Sequence, residues 1–283
     1  MKKNEVILKR QSTRIYFKNG DTDFFFNWLL GIGEVFGFSH GELYFLTQKL
    51  GKSPKPDDWK NIFLSHGNYL KQKASNSDLS EQTKAQYYLA QTYSLRSAIQ
   101  FINPFSDEYL STVHQMEQAF SNAIHSLGAP IEKLTITYQD SYLPGYYLHT
   151  GDDYPTLIMI GGGDTYREDL FYFAGYPGWI RKYNVLMVDL PGQGSNPSRE
   201  LVFDVDASTP ISLCIDWLEN RNSKLNYLAI YGVSGGGYFT AQAVEKDPRI
   251  HAWIASTPIY DVAEVFRKEF GSSLKTPSWL MNA

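Results

Sequence analysis

The sequence predicts an α/β protein: a mostly parallel sheet covered on both faces by helices, with an all-helical region in front of it. Three observations carry this. Before residue 128, apolar residues recur every three or four positions, the spacing of a helix face. After Pro130, short apolar runs alternate with helical stretches, the order that builds parallel sheets. The 283 residues are 43% hydrophobic and 20% charged, enough apolar material for a sizeable core and without a disorder signature. The expected organisation is a helical cap domain over 1–128 and an α/β core over 129–283.

In the first part, FFFNWLLGIGEVFGF (24–38) is the greasiest segment. Asn27, Glu34 and several glycines interrupt it, and it is too short to span a bilayer, so it reads as a buried helix. Residues 56–72 open with Pro56, Asp57 and Asp58, as helix N-termini do. Next, Ala85, Tyr88, Leu89, Leu95, Ile99 and Ile102 fall on one face, and Asn103-Pro104 stops the helix. Leu110, Val113, Met116, Phe120, Ile124 and Leu127 form a further stripe, and Gly128 suits the left-handed cap after it.

The period then changes to two. Leu134, Ile136 and Tyr138 alternate with Lys133, Thr135 and Thr137, a strand pattern. Leu143-Pro144-Gly145 reads as a turn, with GYYLHT as the second strand. TLIMI (156–160), NVLMVD (184–189), YLAIY (227–231) and AWIAS (252–256) read as further strands. Helices are expected near 167–182, 208–220 and 235–246.

The net charge of −4, without a basic stripe, gives no electrostatic reason to expect nucleic acid. Cys214, the only cysteine, excludes an intrachain disulfide and a cysteine-rich zinc site, and its context, ISLCIDWLE, is an apolar helix face. MKKNEVILKR has no apolar core of signal-peptide length. A cytoplasmic chain is therefore expected, with no membrane partner, no cofactor and no metal; a homodimer is compatible with the sequence.

Three loops fall at the carboxyl edge of such a sheet, where ligand chemistry gathers. Gly232-Val-Ser-Gly-Gly236 fits G-x-S-x-G, with a strand before it and a helix after it. This nucleophile elbow forces the serine into a strained conformation and holds its hydroxyl out at the positive end of a helix. Ser234 is thus the candidate nucleophile. Acyl transfer builds negative charge on a carbonyl oxygen, and two fixed N–H groups must face it. Gly235, after the nucleophile, would supply one, and the triple-glycine loop IGGGDTYRED (160–169) the other, from Gly163. That loop fits neither G-x-G-x-x-G nor a phosphate loop with its lysine. The third loop, DLPGQGSNP (189–197), gives a tight exit beside the pocket, with Asp189 as a loop-fixing group rather than a catalytic acid.

Hairpin, glycine loop, D-x-P-G-x-G and G-x-S-G-G, in that order, resemble the α/β-hydrolase superfamily. The GGGD-type loop and the preceding helical domain resemble more narrowly the group that includes 2,6-dihydroxypseudooxynicotine hydrolase, fermentation-respiration-switch-type esterases and acylaminoacyl-peptidase-like proteins. The resemblance covers roughly residues 130–260. It implies Ser234 as nucleophile, Gly163 and Gly235 as oxyanion hole, and a small-molecule pocket roofed by the helical domain. The implied reaction is hydrolysis of an ester, amide or activated carbon–carbon bond through an acyl-enzyme.

The chain departs from that pattern after Ser234. The superfamily order is serine, acid, histidine, yet the only later histidine, His251, stands at the amino end of a strand, the wrong edge. Asp261 and Glu264 lie on the correct edge as candidate pocket acids. The sequence stops at SLKTPSWLMNA, and a fragment short of about 100 residues is expected. It would lack the histidine and be nearly inactive as given. The competing reading is a degenerate hydrolase that acts as a binding or scaffold protein. A dinucleotide-binding oxidoreductase fails on its glycine spacing.

Overall fold

Capping residues set where the helices of the first unit begin. Asn19 and Ser39 accept backbone N–H bonds at the heads of α1 (Gly20–Ile32) and α2 (His40–Thr47). Pro56 opens α3 (Pro56–Ala74). Ser80 and Ser106 cap α4 (Glu81–Ile99) and α5 (Asp107–Leu127). The computed structural model describes residues 14–33, 38–222, 224–259 and 261–262. The chain divides into two units, Met1–Gly128 and Ala129–Ala283.

Two readings of the helical unit need correction. The greasy segment is not a buried helix over 24–38: α1 ends at Ile32, residues 34–37 lie outside the described set, and Phe24 is 62% exposed. The helix is amphipathic, with Phe26, Leu29 and Ile32 turned inward. Helix α4 has no single apolar face either, because it packs against both α3 and α5. From Leu89 to Ile99 every residue is buried, Gln91, Thr92, Ser94 and Arg96 among them. Its polar groups bond locally, Thr92 to the Tyr88 carbonyl and Ser97 to that of Tyr93. It stops at Ile99, ahead of Asn103-Pro104. Gly128 closes α5 at φ 63°, in the left-handed region.

The second unit opens with an antiparallel hairpin, β1 (Ile131–Tyr138) and β2 (Ser141–Leu148). Its turn is Gln139-Asp140, with Gln139 at φ 50°, and not Leu143-Pro144-Gly145. Pro144 sits inside β2. Its carbonyl accepts from Asp189 N–H (3.1 Å), just past the end of the neighbouring strand. The nitrogen of a strand residue faces the same neighbour as its carbonyl, so the missing N–H falls where that neighbour has ended. The β1 ladder loses nothing.

Four parallel strands follow: β3 (Thr156–Ile160), β4 (Asn184–Val188), β5 (Leu228–Val233) and β6 (Ala252–Ser256). The sheet order is β1-β2-β4-β3-β5-β6. The β3–β4 crossover is not the straight helix expected over 167–182. It comprises α6 (Arg167–Leu170), a π turn (Phe171–Gly175) and α7 (Tyr176–Ile180). Tyr176 N–H reaches back five residues to the Phe171 carbonyl, and Pro177 next to it has no N–H for an ordinary helical bond. Helices α8 (Ser208–Arg221) and α9 (Gly235–Lys246) make the later crossovers. Ile211, Cys214, Ile215 and Leu218 of α8 pack with Ile158, Ile160, Leu186, Val188 and Ile230 of the sheet. Each such buried aliphatic side chain contributes roughly 1.5–3 kcal/mol.

The strand order places the site. From β3 the chain crosses to β4 on one side, and β5 pairs with β3 on the other. Loops leaving β3 and β5 therefore diverge from adjacent carboxyl ends, the crevice of open α/β sheets. The pairing of Ile160 with Gly232 brings the glycine loop alongside Ser234.

Candidate active site

Ser234 joins β5 to α9 with φ 54° and ψ −119°, a conformation that costs a non-glycine residue of the order of 1–3 kcal/mol. The surroundings hold it there. Its N–H donates to the Ser256 carbonyl of β6 (3.0 Å), and its own carbonyl accepts from Gly237 N–H (3.0 Å) and Ile259 N–H (3.1 Å). A Cβ on Gly232 would stand 2.3 Å from the Gly236 carbonyl oxygen, and one on Gly236 would stand 2.5 Å from those of Ile160 and Gly161. Only glycine at both positions lets strand, elbow and helix close this tightly. Ser234 is half-buried at the N-terminus of α9, the positive end of the helix dipole.

The triple-glycine loop lies against this elbow. A Cβ on Gly162 would come within 3.0 Å of Ser234 Cβ and 3.4 Å of its Oγ. The Gly163 nitrogen lies 3.5 Å from where Gly235 would carry a Cβ. Gly162 N–H is already spent on Thr165 Oγ1 (2.9 Å). Among the described residues Gly163 N–H has no acceptor. The Gly163 nitrogen and the backbone of Gly235 thus lie close together at the elbow that carries Ser234.

A buried polar layer supports the loop from the β4 side. Asp189 follows that strand and is ion-paired with Arg167 (3.1 Å), whose Nε lies 3.4 Å from Glu168. Tyr146 donates its hydroxyl to Glu168 (2.8 Å) beneath the Arg167 guanidinium. Asp189 is 1% exposed, and Gly194, at φ 56°, folds over its carboxylate. Asp189 is therefore a loop-fixing group. Gln193, in the middle of PGQG, bonds the Gly161 and Gly162 carbonyls. Sequence reading missed Gln193, Thr165 and Arg167; the one available signal was a polar side chain set between the two glycines of that loop.

No histidine of the sheet unit is near Ser234. His251 precedes β6, where its Nδ1 accepts from Leu228 N–H (3.2 Å) and its ring stacks on Tyr227. His149 follows β2, whose last residue, Leu148, pairs with Val185 near the start of β4, and it lies 3.3 Å from Asp152. Both occupy the amino edge of the parallel strands. Asp261 is half-buried, two residues past Ile259, on the Ser234 edge. Glu264 lies outside the described residues.

The helical unit holds a serine–histidine–glutamate geometry of its own. His66 Nδ1 lies 2.6 Å from Ser94 Oγ, and its Nε2 lies 3.0 Å from Glu42. Ser94 is fully buried in the interior of α4, where backbone N–H groups are already bonded. This constellation fastens α2, α3 and α4 together. It offers neither access nor an oxyanion site.

No family model matches the chain. Curated relatives include an α/β hydrolase, ucsC, of an Acremonium species, 26% identical over 89% of this chain and 56% of the relative. Another is 20-hydroxy-prefusarin hydrolase FUS2 of Gibberella moniliformis, 26% identical over 91% of this chain and 65% of the relative. Among solved structures, 2,6-dihydroxy-pseudo-oxynicotine hydrolase superposes with a TM-score of 0.64 at 20% identity, covering 78% of this chain and 62% of that one. The chain spans less than two thirds of the length of each of these three. No helix among the described residues is long and apolar enough to cross a membrane.

Proposed function

We propose that this chain, a member of the α/β-hydrolase superfamily, carries the nucleophile and oxyanion hole of a serine hydrolase. The substrate is a small molecule with an ester, amide or activated carbon–carbon bond. Ser234 Oγ attacks the carbonyl carbon while its proton passes to a base. The carbonyl π electrons move onto oxygen, which takes hydrogen bonds from the Gly163 and Gly235 N–H groups. Collapse of the tetrahedral intermediate restores the carbonyl and expels the leaving group with a proton, and water then releases the acyl group from Ser234.

One observation supports this reading above the others: the positive-φ serine at a helix N-terminus, with the triple-glycine loop packed on it. The base is not among the sheet unit's histidines, so on this reading another group takes the proton. A second reading is a degenerate hydrolase that binds a ligand at the elbow without cleaving it.

The two readings separate with a fluorophosphonate probe applied to the full-length protein encoded by the gene. Covalent labelling that disappears in Ser234→Ala supports the hydrolase. Absence of labelling, or labelling indifferent to that substitution, rules it out in favour of the binding protein.

A further inference from the structure

Two consecutive peptides of the glycine loop are held by a side chain from a different strand's loop. Gln193 is 1% exposed. Its Nε2 donates to the Gly161 carbonyl (2.6 Å) and the Gly162 carbonyl (2.9 Å), and its Oε1 accepts from Leu190 N–H (2.8 Å). Since only nitrogen can donate and only oxygen can accept here, these partners fix the orientation of the amide.

A trans peptide points its C=O and N–H in opposite directions, and the described chain contains no cis bond. Grip on the Gly162 carbonyl therefore turns the Gly163 N–H away from Gln193, and the Gly163 nitrogen lies 3.5 Å from where Gly235 would carry a Cβ. The preceding peptide is tied at both ends, its oxygen to Gln193 and its N–H to Thr165 Oγ1. The Gly162–Gly163 peptide is tied at its oxygen alone, so its N–H stays available to a ligand. Consecutive glycines, lacking Cβ atoms, offer little resistance to a peptide flip. The direction of that N–H is accordingly set from outside the loop.

We infer that Gln193 is a positioning residue that keeps the Gly163 N–H aimed at the oxyanion position before substrate arrives. The inference rests on the reading of Ser234 and Gly163 given above, and it adds a device that keeps the oxyanion hole formed at rest.

The test measures phosphonylation of Ser234 by an alkyl fluorophosphonate in the full-length protein, with kinact and KI separated and rates taken per folded molecule. Gln193→Met removes both donors at similar volume. Gln193→Glu keeps the acceptor for Leu190 N–H and sets a carboxylate oxygen against the two carbonyls. In both variants kinact is expected to fall about 10²-fold, as for loss of one oxyanion donor. KI is expected to move less than about threefold, since ground-state binding does not use that N–H. A structural role alone would lower the thermal midpoint and leave kinact per folded molecule unchanged. If Gln193→Met does not fold, Gln193→Glu decides. Unchanged kinact beside normal wild-type labelling overturns the role of Gln193. Failure of the wild type to label, or labelling that persists in Ser234→Ala, overturns the reading of Ser234 instead.

Discussion

Replacing Arg167 by methionine removes the cation from a cluster that holds two buried carboxylates. Arg167 is 2% exposed, and Asp189 and Glu168 are 1% exposed each. Breaking a buried ion pair by deleting one partner costs about 3–5 kcal/mol, because the remaining charge is stranded away from water. Here two carboxylates, at 3.1 and 3.4 Å from the guanidinium, lose the same partner. For a domain of this size each kcal/mol lowers Tm by roughly 2–4 °C, so Arg167→Met is expected to lower it by about 6–20 °C at pH 7. The sign with pH is also determined. Losing the cation raises the folded-state pKa of both carboxyls relative to wild type, so the deficit grows as pH rises. Differential scanning calorimetry from pH 5 to pH 8 should therefore show the smallest gap from wild type at the acid end. Arg167→Met/Glu168→Gln/Asp189→Asn, with every charge of the triad neutralised, should recover more than half of the loss. A Tm within about 3 °C of wild type, or a deficit independent of pH, refutes this account of the layer beneath the glycine loop.

Other consequences are equally concrete. Burial pushes the Cys214 thiol up to about 12, so a disulfide reagent at pH 8 should modify it only at the rate of unfolding; rapid native-state reaction contradicts the core packing of α8. The Arg249 guanidinium holds the Asp247 carboxyl down at about 2, against the opposing effect of burial, helped by Arg249 N–H and the Ser212 hydroxyl. A depressed folded pKa contributes stability that is present above the unfolded value and lost as pH falls through the folded one. Arg249→Met should therefore flatten the acid limb of the stability curve between about pH 4 and pH 2, as read by urea unfolding. Gly232→Ala drives a Cβ onto the Gly236 backbone, with 2.3 Å to its carbonyl oxygen. Overpacking of this kind costs about 1–3 kcal/mol or more, and the urea midpoint should fall accordingly; an unchanged midpoint would mean that strand and helix are not so close.

What was legible in the sequence was local. The elbow announced itself because strand, glycines, serine and helix are contiguous, and each parallel strand is a continuous apolar run. Pro144 misled because proline is a turn signal by composition, whereas its tolerance in β2 depends on where the adjacent strand stops. The burial of α4 on every face depends on having a helix on each side of it, which no periodicity within α4 encodes. The grip of Gln193 was hidden for the same reason. Its partners, the carbonyls of Gly161 and Gly162, are 32 and 31 residues away and meet it only through sheet order. The loop-fixing role of Asp189 is legible from its place after a strand, whereas its partner Arg167 lies on a separate crossover that no local pattern connects to it.

The central claim, one hydroxyl faced by two backbone N–H groups, is most directly tested by the crystal structure of the fluorophosphonate adduct of the full-length protein. The account predicts phosphorus bonded to Ser234 Oγ, with its non-bridging oxygen about 2.7–3.1 Å from both the Gly163 and Gly235 nitrogens. An adduct on another residue, or a phosphonyl oxygen turned to solvent with the Gly163 N–H aimed elsewhere, would contradict it.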